Sequence, residues 1–556
     1  MLTVENRTIN VDTRTLTARI EDGVLTSLKA KPNGKELVAP ERPGGSALQL
    51  NYPGEGNVDV VGPLAGEIVV RQLSDHAAQV RLHGWDADGV IVVSEDPETG
   101  DLVVEPSAYS SRAGVLSCRW LLPPVRDDLD LVAPFFQGIK LKPGDPLIQQ
   151  RWAWPMFWEA GLAILQGAAG GFWIHCRDNA YRYKALDIAD GRLTLETEAY
   201  GPISRSLGAG GLEWRINVHQ GDWTVPAGIY RDWLWHAYGL HEAERARLPW
   251  TRDVRFAVSW FGGDPAILDA LAEVLDPKTV LLHYSNWRTD PYDENYPTYT
   301  PSRAAVETLR KAAEMGFHTM PHCNSVDMDP THPVYALIRD FQYRDAQSRR
   351  LHGWAWDTET GTGLGVPNSY SNLMKNRHRK VMVKVHPGLG MWRAVLAEEI
   401  RSAVRAVGTD AVFIDVTLCS GNLDNCLVEN TTSSEGMKLL IDRIARLEGG
   451  LSVGGEGLNE ITMQGLSFAQ AHLFKSWQTS IDGIERTGGC PLGHFLFGRL
   501  CRTFGYSGLS GRNEDEALRM RIHEQLGAIP TVTVRNAGEI REPNPAVARA
   551  LELARA

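Results

Sequence analysis

Two acidic residues in the second half of the chain stand where short apolar runs end. In GTDAVFIDVT (408–417), Ala411, Val412, Phe413 and Ile414 run uninterrupted into Asp415. In GGLSVGGEG (449–457), Leu451, Ser452 and Val453 lead through two glycines to Glu456. Each run reads as a buried strand, which places one acid at each C-terminal end. Paired carboxylates of this kind suit cleavage of a glycosidic bond, one acting as nucleophile or base and the other as acid. Either acid alone also fits a helix cap or a structural ion pair. Their repetition on consecutive strands favours chemistry, because loops converge at that end of a parallel barrel.

The stretch between them, EGMKLLIDRIARLEG, carries apolar residues at Met437, Leu439, Leu440, Ile444 and Leu447, the spacing of one amphipathic helix. Strand, helix and strand then repeat backwards from this unit. VRFAVSW (254–260), TVLLHYSNW (279–287) and FHTMPHCNSVDMD (317–329) read as strands with their loops. PAILDALAEVL and SRAAVETLRKAAEMG read as helices between them, the second stopped by Gly316. HPGLGMWRAVLAEEIRSAVRAVG (386–408) is a long helix feeding the Asp415 strand. The alternation predicts a (β/α)8-type TIM barrel over 251–556, ending in the helix NPAVARALELARA. RRLHGWAWDTETGTGLGVP reads as a hairpin or lid outside the barrel.

The strand tips supply further candidates for binding a substrate: Trp260, His283, Trp287, Asp290, His322 and Asn324. His386, Trp392 and Arg393, which open the long helix, join them, and Glu460 and His472 follow Glu456. Neutral polar groups and flat rings suit hydroxyl recognition and stacking on a sugar ring. Each of these residues alone fits core or loop scaffolding as well.

Residues 1–225 read as β throughout, with turn signals such as Asp22-Gly23 and Asn33-Gly34 at short spacing. That pattern predicts a β-sandwich domain, its Trp152, Trp154 and Trp158 serving as packing. PAGIYRDWLWHAYGLHEA (226–243) reads as a helix and, with ERARLPW, makes a linker over 226–250.

Composition narrows the partners. A net charge of −11 argues against nucleic acid and anionic membranes and suits a small, neutral carbohydrate or glycoside. No window approaches 18 unbroken apolar residues, and MLTVENRTIN lacks the basic and apolar regions of a signal peptide. Seven scattered cysteines suit reduced thiols, so a cytoplasmic location is expected. G-x-x-x-x-G-K-[ST], H-E-x-x-H and paired C-x-x-C are absent. GTGLG (361–365) lacks dinucleotide-fingerprint spacing, and GYSGLSG (505–511) does not match a serine elbow. No cofactor and no catalytic metal are therefore expected. A structural calcium on the acidic loops is left open, as is a homo-oligomer.

The order of parts, together with FIDVT, GGEG and MPHCN, resembles the α-N-acetylgalactosaminidase families, endo-acting and exo-acting. The resemblance covers roughly residues 1–500 in architecture. It implies a retaining α-glycosidase with Asp415 as nucleophile and Glu456 as acid/base. Neighbouring readings are an α-galactosidase-like or α-glucosidase-like enzyme on the same carboxylates. From other classes come a non-catalytic sugar-binding protein and a metal-dependent sugar isomerase or lyase. The last would draw on Asp290, His322, Asp327 and His386.

Overall fold

The computed structural model describes residues 1–39, 46–60, 67–84, 87–357, 363–364, 379–471, 488–505, 509–512 and 516–556. They divide into two units. One comprises Met1–Tyr238 and the described part of Ile481–Leu496; the other holds the described parts of Gly239–Ser480 and Phe497–Ala556. Among the described residues no helix is long and apolar enough to cross a membrane.

The first unit is antiparallel β. A four-stranded meander (Leu2–Glu5, Thr8–Asp12, Leu16–Glu21, Val24–Ala30) accompanies a ten-stranded and a six-stranded sheet. Alternation of buried and exposed positions, as in Ala87–Glu95, gives each strand one inward face. Large rings fill the space between the sheets. Phe135, leaving the ten-stranded sheet, stacks on Trp152 of the six-stranded one with centroids 4.2 Å apart. Trp154 and Trp158 are buried as well, so all three tryptophans of RWAWPMFW belong to this core.

The helix expected over 226–243 is two helices. Thr224–Ala237 packs Tyr230, Leu234 and Trp235 inward, and Leu240–Ala246 follows. Gly239 between them takes φ 63°, a left-handed conformation that ends the first helix and is open to a residue without Cβ. The division between units falls at this turn, 13 residues after the expected domain edge at 225, because the first helix packs with the sheets. Residues 488–496, expected in the barrel half, also belong to the first unit. There Gly489 bridges Ile139, and Phe495 meets the Trp223 ring at 5.4 Å.

The second unit is the barrel. Its strands, in chain order, are β1 (Phe256–Phe261), β2 (Val280–Tyr284), β3 (His318–Asn324) and β4 (Ala411–Asp415). Then come β5 (Ser452–Glu456), β6 (Phe468–Ala471), β7 (Arg502–Gly505) and β8 (Thr531–Val532). Neighbours in this series pair in parallel from β1 to β7, and β1 also pairs β8. A parallel bridge from Phe504 to Ile529 brings the ring to closure. The eighth strand, two residues long, carries almost no periodicity and escaped sequence reading.

Helices α1 (Pro265–Val274), α2 (Arg303–Met315), α3 (Gly390–Val407) and α4 (Ser433–Ala445) return the chain between strands. The starts of α1, α2 and α4 are set by side chains that accept orphan N–H groups: Asp264 from Ala266, Ser302 from Ala305 and Thr432 from Glu435. After β3 the chain departs from the barrel into an antiparallel sheet of Asp327–Met328, Gly353–Asp357, Gly363–Leu364 and Arg379–Lys384. This is the expected hairpin, and the rest of the GTGLG stretch lies outside the described residues. The terminal helix covers Pro545–Arg555, capped by Asn544.

Candidate active site

Strand periodicity decides which side chains reach the barrel mouth. Ala257, Leu281, Met320, Phe413, Phe468 and Phe504 share the barrel core. Residues two positions on along a strand face the same way. Ser259, His283, His322, Asp415 and Gln470 therefore form the next layer, towards the C-terminal ends. On β5 the core position is Gly454, where a Cβ would lie 2.3 Å from Met320 Sδ. Glu456, two residues on, joins that layer.

Asp415 and Glu456 are the last residues of adjacent strands, held level by the pairing of Ile414 with Gly455. They are 9% and 6% exposed, buried yet not sealed. The Glu456 carboxylate is tied to the neighbouring strand's exit, because Val416 N–H donates to its Oε2 at 3.1 Å. Thr417 Oγ donates to the Glu456 carbonyl at 2.7 Å. Val416 itself holds φ 63°, an unusual conformation for a β-branched residue that costs about 1–3 kcal/mol. Strain of this size persists where surrounding contacts over-determine the backbone.

A line of side chains runs from Asp415 across the mouth. Tyr292 Oη donates to Asp415 Oδ2 at 3.3 Å, and His322 Nε2 lies 3.5 Å from the same oxygen. His322 Nδ1 is 3.0 Å from His283 Nε2, and both rings are buried. The Trp260 ring, partly exposed, meets those of His283, His322 and Tyr292 with centroids 5.1, 5.8 and 6.2 Å apart. Burial pushes the Asp415 carboxyl up, but His322 and the Lys384 ammonium hold it below the ordinary carboxylate value.

Beside this line lies a buried ion pair. Lys384 Nζ donates to Asp327 Oδ1 at 2.8 Å, while Asn324 Nδ2 donates to Oδ2 at 3.0 Å. Burial raises the Asp327 carboxyl above its usual value although Lys384 opposes it. Burial works against the charge on Lys384 too, yet Asp327, Cys419 and Glu456 keep its ammonium more firmly protonated than usual. A fixed cation thus stands within the field of both strand-tip carboxylates.

Of the residues expected from sequence, Trp260, His283 and His322 come together with Asp415. Trp287 and Trp392 do not offer stacking faces: they are 1% and 0% exposed, with indole N–H groups donated to the His322 and Ser325 carbonyls. Burial turns both into props for the loop and tip of β3. Asn324 spends its side chain on Asp327 and the Val326 and Asp327 N–H groups. Asp290 accepts from Asn295 within its own loop. His386 accepts from Gly388 N–H, and Arg393 donates to the Pro387 carbonyl, so both fix the turn opening α3. Glu460 is buried, and His472 lies outside the described residues.

Among the described residues no three His, Cys, Asp or Glu side chains gather as a metal ligand set, and Asp290, His322, Asp327 and His386 are spread over separate contacts. Tyr292, Lys384 and Gln470 were missed from sequence. Lys384 left a signal, a lysine inside the apolar run VMVKV, which demands a buried partner.

Residues 212–437, which include β1 to β4 and Asp415, match a family model described as a domain of unknown function (DUF6259). A Bacteroides thetaiotaomicron protein named "Putative glycoside hydrolase" is 26% identical over 160 residues, 29% of this chain. The chain spans only 21% of that relative's length. Among solved structures, alpha-N-acetylgalactosaminidase NagBb from Bifidobacterium bifidum, ligand free, superposes over 100% of this chain and 93% of its own. That match has a TM-score of 0.65 and 14% identity. The GalNAc complex of the same enzyme gives a TM-score of 0.65 at 12% identity over 92% of its chain. The fold, a β-sandwich unit followed by a (β/α)8 barrel, is therefore one that this chain shares with an α-N-acetylgalactosaminidase.

Proposed function

We propose that the protein is a retaining glycoside hydrolase acting on an α-linked sugar, with Asp415 as nucleophile and Glu456 as acid/base. The observation that carries this reading is the level pair of carboxylates on adjacent strand tips, one of them hydrogen-bonded to the residue that follows the other. The likeness in fold to an α-N-acetylgalactosaminidase makes an α-N-acetylgalactosaminide the first substrate to try.

A pyranose ring at the mouth stacks on Trp260, the partly exposed ring beside Asp415. Asp415, kept ionised by His322 and Lys384, attacks the anomeric carbon. Glu456 gives its proton to the departing glycosidic oxygen, and the C–O bond breaks to leave a glycosyl ester on Asp415. Glu456, now a carboxylate, takes a proton from water, whose oxygen attacks the same carbon and frees Asp415. Retention requires the two carboxyl groups to stand about 5–5.5 Å apart in the complex, against about 6.5–9.5 Å for inversion.

The test is hydrolysis of aryl α-glycosides, the N-acetylgalactosaminide and galactoside first, with NMR of the anomer released. Asp415→Ala is expected to cut turnover by about a thousand-fold or more with the melting temperature preserved. Glu456→Gln is expected to spare formation of the glycosyl ester from substrates with good leaving groups, read as kcat/KM, while slowing its hydrolysis and so lowering kcat for all of them. Near-normal turnover by Asp415→Ala would overturn the assignment. Sugar binding without turnover in the wild-type protein would make it a carbohydrate-binding protein instead.

A further inference from the structure

We infer that His283 is a positioning residue: it fixes which ring nitrogen of His322 carries a proton, and through it the carboxylate oxygen that Asp415 presents for attack. The inference rests on the assignment of Asp415 as nucleophile and extends it to residues that do not touch substrate.

The argument begins at a main-chain N–H. The parallel register of β1 shifts between Val258 and Phe261, and Trp260 within that irregularity takes φ 56°. Irregularities of this kind re-aim groups beside active sites. Here the Trp260 N–H lies 3.4 Å from His283 Nδ1. A main-chain N–H only donates, so Nδ1 accepts and bears no proton. Gln470 Nε2 lies 3.5 Å from the same atom and donates to Ser259 Oγ at 2.8 Å. Turning that amide over would not change the outcome, because the main-chain N–H cannot be turned.

Burial and the neighbouring His322 hold His283 well below the usual imidazole value, so it is neutral with its proton on Nε2. Across 3.0 Å it donates to His322 Nδ1. His322 therefore carries its own proton on Nε2, which faces Asp415 Oδ2 at 3.5 Å. Contacts of this length tighten when substrate fills a site.

Tyr292 Oη reaches the same Oδ2, so both donors fall on one oxygen of Asp415. Among the described residues no donor falls on Oδ1. An oxygen that accepts one hydrogen bond and faces a second N–H at 3.5 Å holds its lone pairs more tightly, and Oδ1 is left as the attacking atom. Without His283, His322 is free to protonate Nδ1 and turn a lone pair towards the carboxylate. Among the described residues, the charged or titratable groups facing His322 are Asp415, His283 and Tyr292, with Trp260 and Phe413 supplying apolar walls.

Full-length protein labelled with 15N-histidine tests this, the ring signals of His322 being assigned by their loss in His322→Gln. Expected are Nε2–H and an unprotonated Nδ1 in the wild type, and a shift towards Nδ1–H in His283→Leu. In kinetics, His283→Leu is expected to lower kcat about ten- to a hundred-fold with KM little changed. His283→Gln, whose amide keeps a donor at the Nε2 position, is expected to restore most of it. A merely structural role would instead lower the melting temperature of both variants without separating kcat from KM. The inference is overturned by Nδ1–H on His322 in the wild type, by an unchanged tautomer in His283→Leu, or by unchanged kcat. If Asp415→Ala proves active, the hydrolase reading fails, while the NMR arm still decides the tautomer.

Discussion

Both units bury carboxylates, and they treat them differently. In the sandwich, Asp178 accepts from the Ala180 and Arg182 N–H groups, from Arg182 Nε at 3.2 Å and from Lys184 Nζ at 3.1 Å. Lys184 is itself fully buried and lies over the Trp154 ring at 3.8 Å. Burial alone would raise the Asp178 carboxyl, yet Lys184 and Arg182 hold it below its usual value. At the barrel mouth, Asp415 has two contacts of 3.3 and 3.5 Å, both on one oxygen. A buried carboxylate saturated with short donors holds a fold together. One left with unspent capacity is free to take up a reacting atom.

The largest effect separating the two should come from charge removal. Asp178→Asn strands the Lys184 ammonium and is expected to cost about 3–5 kcal/mol in denaturant unfolding, with activity per folded molecule kept. Asp415→Asn is expected to move stability by less than about 1 kcal/mol while abolishing turnover. Equal destabilisation by the two substitutions would erase the distinction.

Acid sharpens the comparison next. His219 in the sandwich and His386 in the barrel unit are each pushed down to about 4, chiefly by burial. The unfolded chain takes up protons at these rings from about pH 6.5 downwards, while the folded one refuses them until about pH 4. Stability should therefore fall as pH drops through that window, and His219→Gln and His386→Gln should each flatten the slope. A profile unchanged by either would count against their burial as neutral rings. The smallest effect is expected at the rim. Trp260→Ala should raise KM about tenfold through lost stacking and leave the sandwich's unfolding untouched. An unaltered KM would move the sugar-stacking surface elsewhere.

The sequence made Asp415 and Glu456 legible because each ends an apolar run, and period-two alternation then carries His283 and His322 into the same layer. Trp287 and Trp392 misled for a physical reason. A tryptophan near a strand tip looks the same whether it faces solvent or closes the core, and only tertiary packing distinguishes them. Tyr292 lay in a polar loop, RTDPYDENYPTYTP, whose path no local pattern specifies. Lys384 is the cross-strand partner of Asp327 in the antiparallel sheet, 57 residues further along the chain, a pairing that only the fold creates. The first unit's late strap, 488–496, was invisible for the same reason.

That strap bears on how the protein is made. Lys140 N–H donates to the Gly488 carbonyl at 2.7 Å, Cys490 N–H to Gly138 at 2.9 Å and Gly493 N–H to Gln137 at 2.7 Å. These partners emerge from the ribosome only after six strands of the barrel have been synthesised. A fragment truncated at Tyr238 leaves that edge of the first unit bare, its main-chain groups open to any passing strand. Nascent chains stalled before residue 488 should therefore be sticky, and separating the two halves by gene surgery calls for a graft of the strap rather than a single cut.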